Sequence, residues 1–318
     1  MNIEDKIQKN INLASFSTFR IGGQAKFFLE IKKKEELESA LDWARKHEEK
    51  VFVLGGGSNI LFPDQNFNAL IIKLNNNDIR LNNEELICDA GAKLGRVVNF
   101  CLNHSVSRLE WAAGIPGTIG GAVYGNAGAF GHEISEFIKY LEIFDREDNK
   151  FKIFKKAQCQ FAYRDSIFKK EFFLNQVNKI IWQVAFDLEV GDQAEMRTKI
   201  QNNLAGRKNQ PHLPNAGCVF KNFYIDDIAK KNPSLADCAR AAFVVKGEKV
   251  SAAWIIDKAG IKETQIGGAQ VSAQHANFIV NTGEARAQDV LDLISEIKRK
   301  IKSDFNLELE EEIEIIQL

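Results

Sequence analysis

Three observations predict an α+β chain rather than a doubly wound sheet. Helix-period and strand-period segments interleave only at the start, the middle alternates as antiparallel strands do, and the chain ends on a strand-like tail. Residues 34–49 (KEELESALDWARKHEE) put Leu37, Ala40, Leu41 and Ala44 on one helical face. The apolar strand 51–54, a glycine run and a strand at 70–74 follow, so the opening reads as a small β-α-β unit. Residues 87–90 read as a strand, and Leu94, Val97, Val98 and Cys101 mark a helix after it. Segments 138–154 and 180–189 alternate as antiparallel strands. A polar helix over 192–206 stops near Gly206, and the turn-rich block 207–222 opens a new domain. Beyond it come a helix at 252–259, a strand at 277–281 and a helix at 287–301 striped by Val290, Ile294, Ile297 and Ile301. The tail 307–316 alternates around Leu307, Leu309, Ile313 and Ile315 and is predicted to be a strand.

Composition narrows the class. The 318 residues are 45% apolar, enough for two or three cored domains and outside the disordered range. A formal net charge of −1 argues against a broad nucleic-acid surface. No apolar run approaches the roughly 18 residues of a membrane helix, and the charged start MNIEDKIQKN is unlike a signal or transit peptide. Cys88, Cys101, Cys159, Cys218 and Cys238 lack C-x-x-C spacing, which favours reduced thiols in a cytoplasmic protein. The five histidines show no ligand spacing, so no metal is expected.

The glycines are the strongest chemical signal. Residues 114–131 (GIPGTIGGAVYGNAGAFG) hold seven of the 22 glycines and no charge. Glycine is costly to order, so such density implies close backbone approach, with peptide N–H groups supplying the polar contacts, as where phosphate is cradled. A shorter run, Gly55-Gly56-Gly57-Ser58-Asn59, follows the first strand. Ile115, Ile119, Val123 and Phe130 interrupt the longer run with core-type side chains that a flexible linker lacks. Neither run is a Walker A loop or a dinucleotide fingerprint in context. Spacing alone therefore points to a large phosphorylated cofactor held by backbone amides.

Seven blocks in order carry a more specific signal: 17–23 (STFRIGG), 53–61 (VLGGGSNIL), 114–131, 163–169 (YRDSIFK), 215–222 (NAGCVFKN), 267–281 (GGAQVSAQHANFIVN) and 309–316 (LEEEIEII). Together they resemble the UDP-N-acetylenolpyruvoylglucosamine reductase family from about residue 12 to the end. The resemblance implies an FAD-binding fold of the vanillyl-alcohol-oxidase type, α+β, in two subdomains, plus a third α+β substrate-binding domain. The implied limits are 1–75, joined by a C-terminal strand at 306–318, then 76–193, then 194–305. It implies non-covalent FAD, since neither glycine loop contains a histidine or cysteine. The cofactor residues it points to are Gly55, Gly56, Gly57, Ser58, Asn59, Gly117, Thr118, Gly120, Gly121, Asn126 and Ala127. The implied protein is a cytoplasmic monomer or weak oligomer using NADPH and a UDP-sugar, with no nucleic acid or membrane partner.

The family reaction implies an acid and an electrophile. Hydride added to an enolpyruvyl double bond leaves negative charge beside the substrate carboxylate, which must be stabilised and then protonated. Arg164 matches the family's catalytic arginine, a planar and permanently charged partner for a carboxylate. In the tail, alternation places Glu310, Glu312 and Glu314 on one face, so spacing does not choose among them. The resemblance selects Glu312, which precedes Ile313-Glu314-Ile315-Ile316. Cys218 stands where many members of the family have serine. A thiol with an ordinary pKa of about 8.5 is a usable proton donor near neutrality. Tyr163, Lys221, Asn222, Lys262 and Gln274 match substrate-binding blocks. Phe168 runs quickly into Phe172, Phe173 and the strand near Ile180, which resembles the shorter branch without a tyrosine-bearing loop. The other four cysteines are expected to pack. An oxidase of the same fold and a non-catalytic FAD or UDP-sugar binder are the rival readings.

Overall fold

The computed structural model describes residues 3–82, 85–173 and 178–316. They form two compact units, each assembled from separate stretches: Met1–Ile11, Ala25–Gly56 and Asn68–Lys208 in the first, and Asn12–Gln24, Gly57–Phe67 and Asn209–Leu318 in the second.

Among the described residues the first unit carries two larger sheets and two short two-stranded ones. One is ordered Gln8–Asn12, Gln24–Ile31, Phe67–Leu74, Val51–Leu54, and its last two strands run parallel with Val51 opposite Leu70 and Leu54 opposite Lys73. Helix Lys34–Lys46 supplies the connection and buries the predicted stripe of Leu37, Ala40, Leu41 and Ala44. The other sheet is wholly antiparallel, ordered Lys150–Lys155, Ile138–Asp145, Lys179–Asp187, Glu85–Asp89, Ile79–Asn82. Helix Leu94–Asn103 buries Val97, Val98 and Cys101 as its spacing requires. Polar helix Gln193–Ala205 starts on an Asp192 cap and buries only Met196. Helix Ile167–Phe173 is present. The rest of the expected short passage, 174–177 and the side chains of Phe172 and Phe173, lies outside the described residues.

The second unit packs helices around short strands. Helix Ala287–Phe305 buries Val290, Leu293, Ile294, Ile297 and Ile301, and the Asp64 carboxylate caps its start by accepting the Ala287 N–H at 2.8 Å. Strands Gln265–Ile266, Ala269–Val271 and Ile279–Asn281 form an antiparallel sheet. Two helices, Ile225–Lys231 and Pro233–Ala241, were not expected from periodicity. Their signal is a capping one: Asn232 ends the first and accepts the Leu235 N–H of the second, whose first residue is proline.

The predicted tail strand is corrected. Only Glu314–Ile315 is a regular strand, parallel to Ile60–Leu61. Residues before it pair elsewhere: Lys221 N–H donates to Glu310 O and Glu312 N–H to Val219 O. The change of partner breaks the alternation, so Ile313 and Glu314 are both buried while Ile315 is not. Glu310 is exposed, Glu312 half-buried and Glu314 only 7% exposed, so the three glutamates do not share a face.

Candidate active site

In the first unit the two glycine loops meet backbone to backbone. A Cβ on Gly56 would lie 2.6 Å from the Gly117 Cα, and one on Gly55 would lie 2.9 Å from Thr118 Oγ1. No side chain fits between them, so peptide groups line this part of the site. Thr118 caps the short helix Ile119–Tyr124, its hydroxyl accepting the Gly121 N–H at 3.4 Å. Ile119 and Gly120 hand their N–H groups to Ala92 O and Ala90 O, which seats the loop on the end of strand Glu85–Asp89. Lys73 Nζ donates to Gly55 O at 3.3 Å, and burial lowers its pKa.

The same loop holds Arg164. Ala162 and Asp165 exchange backbone hydrogen bonds across a tight turn, and Arg164 sits in it at φ +55°, a strained position for a side chain of this size. Its Nη2 donates to Gly128 O at 2.9 Å, and its guanidinium carbon lies 5.4 Å from the Tyr163 ring centre. Asp165 pairs with Lys170 at 3.4 Å. Ser166 donates its hydroxyl hydrogen to Tyr124 O at 2.6 Å.

Asn126, expected to contact cofactor, is fully buried and its side chain works inward. Its amide donates to Glu133 Oε2 and to Ala162 O, both at 2.8 Å, and its oxygen accepts the Ser135 N–H at 3.3 Å. It therefore ties the loop 126–128 to the turn that carries Arg164. Ala127 lies in the same loop, its carbonyl accepting the Ile134 N–H at 2.9 Å.

In the second unit Cys218 directly precedes a short ladder that includes Glu312. Residues 219–221 run antiparallel to 310–312, with Phe220 opposite Glu311. Cys218 is half-buried behind Gly217 at φ +81°, and Asn215 Oδ1 fixes that turn by accepting the Gly217 N–H at 2.9 Å. Gly57, at φ +63°, comes so close to Phe16 O that a Cβ would overlap it. Ser58 is half-buried in this run. Asn59 brackets the tail: its amide donates to Glu312 O at 3.0 Å and its carbonyl accepts the Glu314 N–H.

The other expected substrate residues already have partners. Lys221 forms an ion pair with Glu310, and Lys262 pairs with Asp257 at 2.7 Å. Asn222 Oδ1 accepts the Ala252 N–H at 3.1 Å, at the start of helix Ala252–Lys258. Gln274 is exposed on a turn where Ser272 Oγ accepts its N–H. A diphosphate at these lysines would compete with two carboxylates.

Sequence reasoning passed over three supporting residues. Thr18 donates its hydroxyl hydrogen to Asn215 O at 2.7 Å, and its N–H to Gly57 O. Asn281 donates to Phe19 O, and Asn277 grips Phe220 by both its backbone groups. The available signal was two asparagines flanking the apolar run Phe278-Ile279-Val280, since an amide in such a run must be hydrogen-bonded.

A family model described as FAD binding domain matches residues 25–152, the stretch holding both glycine loops. With the α+β fold described above, this defines the class as an FAD-dependent oxidoreductase. A second model, the C-terminal domain of UDP-N-acetylenolpyruvoylglucosamine reductase, matches residues 209–316. Curated reductases of that name are similar over nearly the whole chain. That of Solibacter usitatus is 35% identical, covering 96% of this chain and 95% of its own, and that of Bacillus pumilus is 36% identical, covering 98% and 94%. The crystal structure of the Thermus caldophilus reductase aligns with a TM-score of 0.76 at 29% identity, covering 98% of both chains. The chain belongs to the UDP-N-acetylenolpyruvoylglucosamine reductase family. Among the described residues no helix is long and apolar enough to cross a membrane.

Proposed function

We propose that this chain reduces UDP-N-acetylenolpyruvoylglucosamine to UDP-N-acetylmuramate for peptidoglycan precursor synthesis, using NADPH, in the cytoplasm, as a monomer or weak oligomer. The observation that carries the reading is the ladder joining 219–221 to 310–312, which carries Glu312 on one strand and follows directly on Cys218 along the other. The tight, side-chain-free contact of Gly55 and Gly56 with Gly117 and Thr118 suits a cofactor gripped by peptide groups. Gly57, Ser58, Asn59, Gly120, Gly121, Asn126 and Ala127 complete the set assigned to FAD, held non-covalently. When bound, FAD relays a hydride from NADPH to the enolpyruvyl double bond.

This chain's residues then handle charge and proton. Arg164 holds the substrate carboxylate and stabilises the negative charge that develops beside it. Cys218 donates the proton that completes net addition of hydride and proton, and recovers it from solvent between turnovers. Glu312 polarises the developing enolate. Tyr163, Lys221, Asn222, Lys262 and Gln274 receive the UDP-sugar, with the lysines exchanging Glu310 and Asp257 for the diphosphate. The three-part division into 1–75 with 306–318, 76–193 and 194–305 belongs to the same reading.

The test follows NADPH consumption by the yellow holoprotein on adding the enolpyruvyl sugar, for wild type, Cys218→Ser and Cys218→Ala. Substrate-dependent consumption retained in Ser and lost in Ala, with flavin bleaching by NADPH intact in both, is the expected result. Full activity in Ala removes Cys218 from the mechanism. Wild-type consumption indifferent to the sugar overturns the function.

A further inference from the structure

Asn277 is 2% exposed, yet its side chain is an amide. Its Oδ1 accepts the Phe220 N–H at 2.9 Å and its Nδ2 donates to Phe220 O at 2.8 Å. Its own carbonyl accepts the Val219 N–H at 2.8 Å. One residue thus supplies the backbone partners that a neighbouring strand residue normally gives, at a point where strand Ile279–Asn281 has not yet begun. Its N–H in turn donates to His275 Nδ1 at 3.3 Å. Phe220 is 1% exposed, so neither of its peptide groups has water to fall back on.

The clamp acts on the segment that matters. Cys218 immediately precedes Val219, and the carbonyl of Val219 accepts the Glu312 N–H at 2.7 Å. We propose that Asn277 is a positioning residue for the reductive step, fixing the height and tilt of 218–220 so that the Cys218 thiol and the Glu312 carboxylate keep their spacing. The proposal rests on the reading of Cys218 as proton donor. A purely packing role would be met by leucine, which has the same branched four-atom skeleton without polar atoms to satisfy. An amide bonded at both ends adds direction, which an apolar side chain does not supply.

The test uses holoenzyme carrying Asn277→Leu and Asn277→Asp, with Asn281→Ala as control. Asn281 is also buried and grips backbone, at Phe19 rather than at 218–220. Two readouts are taken: the separate rates of flavin bleaching by NADPH and of recovery by the enolpyruvyl sugar, and the rate of iodoacetamide alkylation at Cys218 relative to exposed Cys238. In Asn277→Leu the recovery step is expected to slow roughly 10- to 100-fold with bleaching unchanged, the scale of a misplaced catalytic group. Cys218 alkylation is expected to change severalfold against Cys238. Asn277→Asp keeps an acceptor for the Phe220 N–H but sets a carboxylate oxygen against its carbonyl, so recovery is expected to slow there as well.

Recovery slowed no more than in Asn281→Ala, with unchanged alkylation, overturns the proposal. If Asn277→Leu does not fold, wild-type recovery and alkylation in Asn277→Asp overturn it equally. Wild-type enzyme without sugar-dependent recovery refutes the function instead, and alkylation then still decides whether Asn277 positions Cys218.

Discussion

Replacing Asn126 with alanine removes the link between the glycine loop and the turn bearing Arg164. Three hydrogen bonds go: to Glu133, to Ala162 O and from Ser135 N–H. Glu133 is half-exposed and Ala162 exposed, so water replaces those two at a cost of about 0.5–1 kcal/mol each. Ser135 is 7% exposed, and leaving its N–H unsatisfied costs about 1–2 kcal/mol more. The total, about 3 kcal/mol, lowers a melting midpoint by about 6–12 °C for a unit of this size. Because Arg164 hangs from Gly128 O in the same loop, flavin recovery by the enolpyruvyl sugar falls along with stability. The assay pairs thermal unfolding of the holoprotein with the two flavin half-reactions. A midpoint shift under about 3 °C, with recovery at the wild-type rate, refutes the reasoning.

Gly56→Ala places a Cβ against the Gly117 backbone, which has no soft side chain to move, so the purified protein is expected to lose its visible flavin absorbance while keeping its far-ultraviolet dichroism. Burial raises the thiol pKa of Cys88, and those of Cys101 and Cys159 to about 12. Native-state alkylation read by peptide mass spectrometry should therefore mark Cys218 and Cys238 and spare these three. Burial also lowers the pKa of His275, helped by Lys262 nearby. The unfolded chain then binds the proton more readily, so stability is full above about pH 6.5 and falls as pH drops through that value toward the folded one. His275→Gln is expected to flatten this part of the melting-midpoint profile between about pH 7.5 and 5.5.

Much of this protein was legible locally. The stripes of Lys34–Lys46 and Ala287–Phe305 follow from helical periodicity, and the antiparallel strands of 138–154 from alternation, because both report backbone geometry within a few residues. The ordered blocks bring Arg164, Cys218 and Glu312 forward as candidates, since residue type and order are properties of the chain itself.

The tertiary structure decided what depends on distant partners. Alternation placed Glu310, Glu312 and Glu314 on one face; the switch of pairing from 219–221 to 59–61 buries Glu314 and leaves Glu312 between, which no periodicity within the tail contains. Asn126 is buried as a loop tie, a role set by Ala162, which folding brings to it from 36 positions along the chain. Asn277 is one of several polar residues in the block 267–281, and folding alone sets it beside Phe220, 57 residues away. Sequence order selects the groups able to do the chemistry, while hydrogen bonds closed over long loops select which of them are held still.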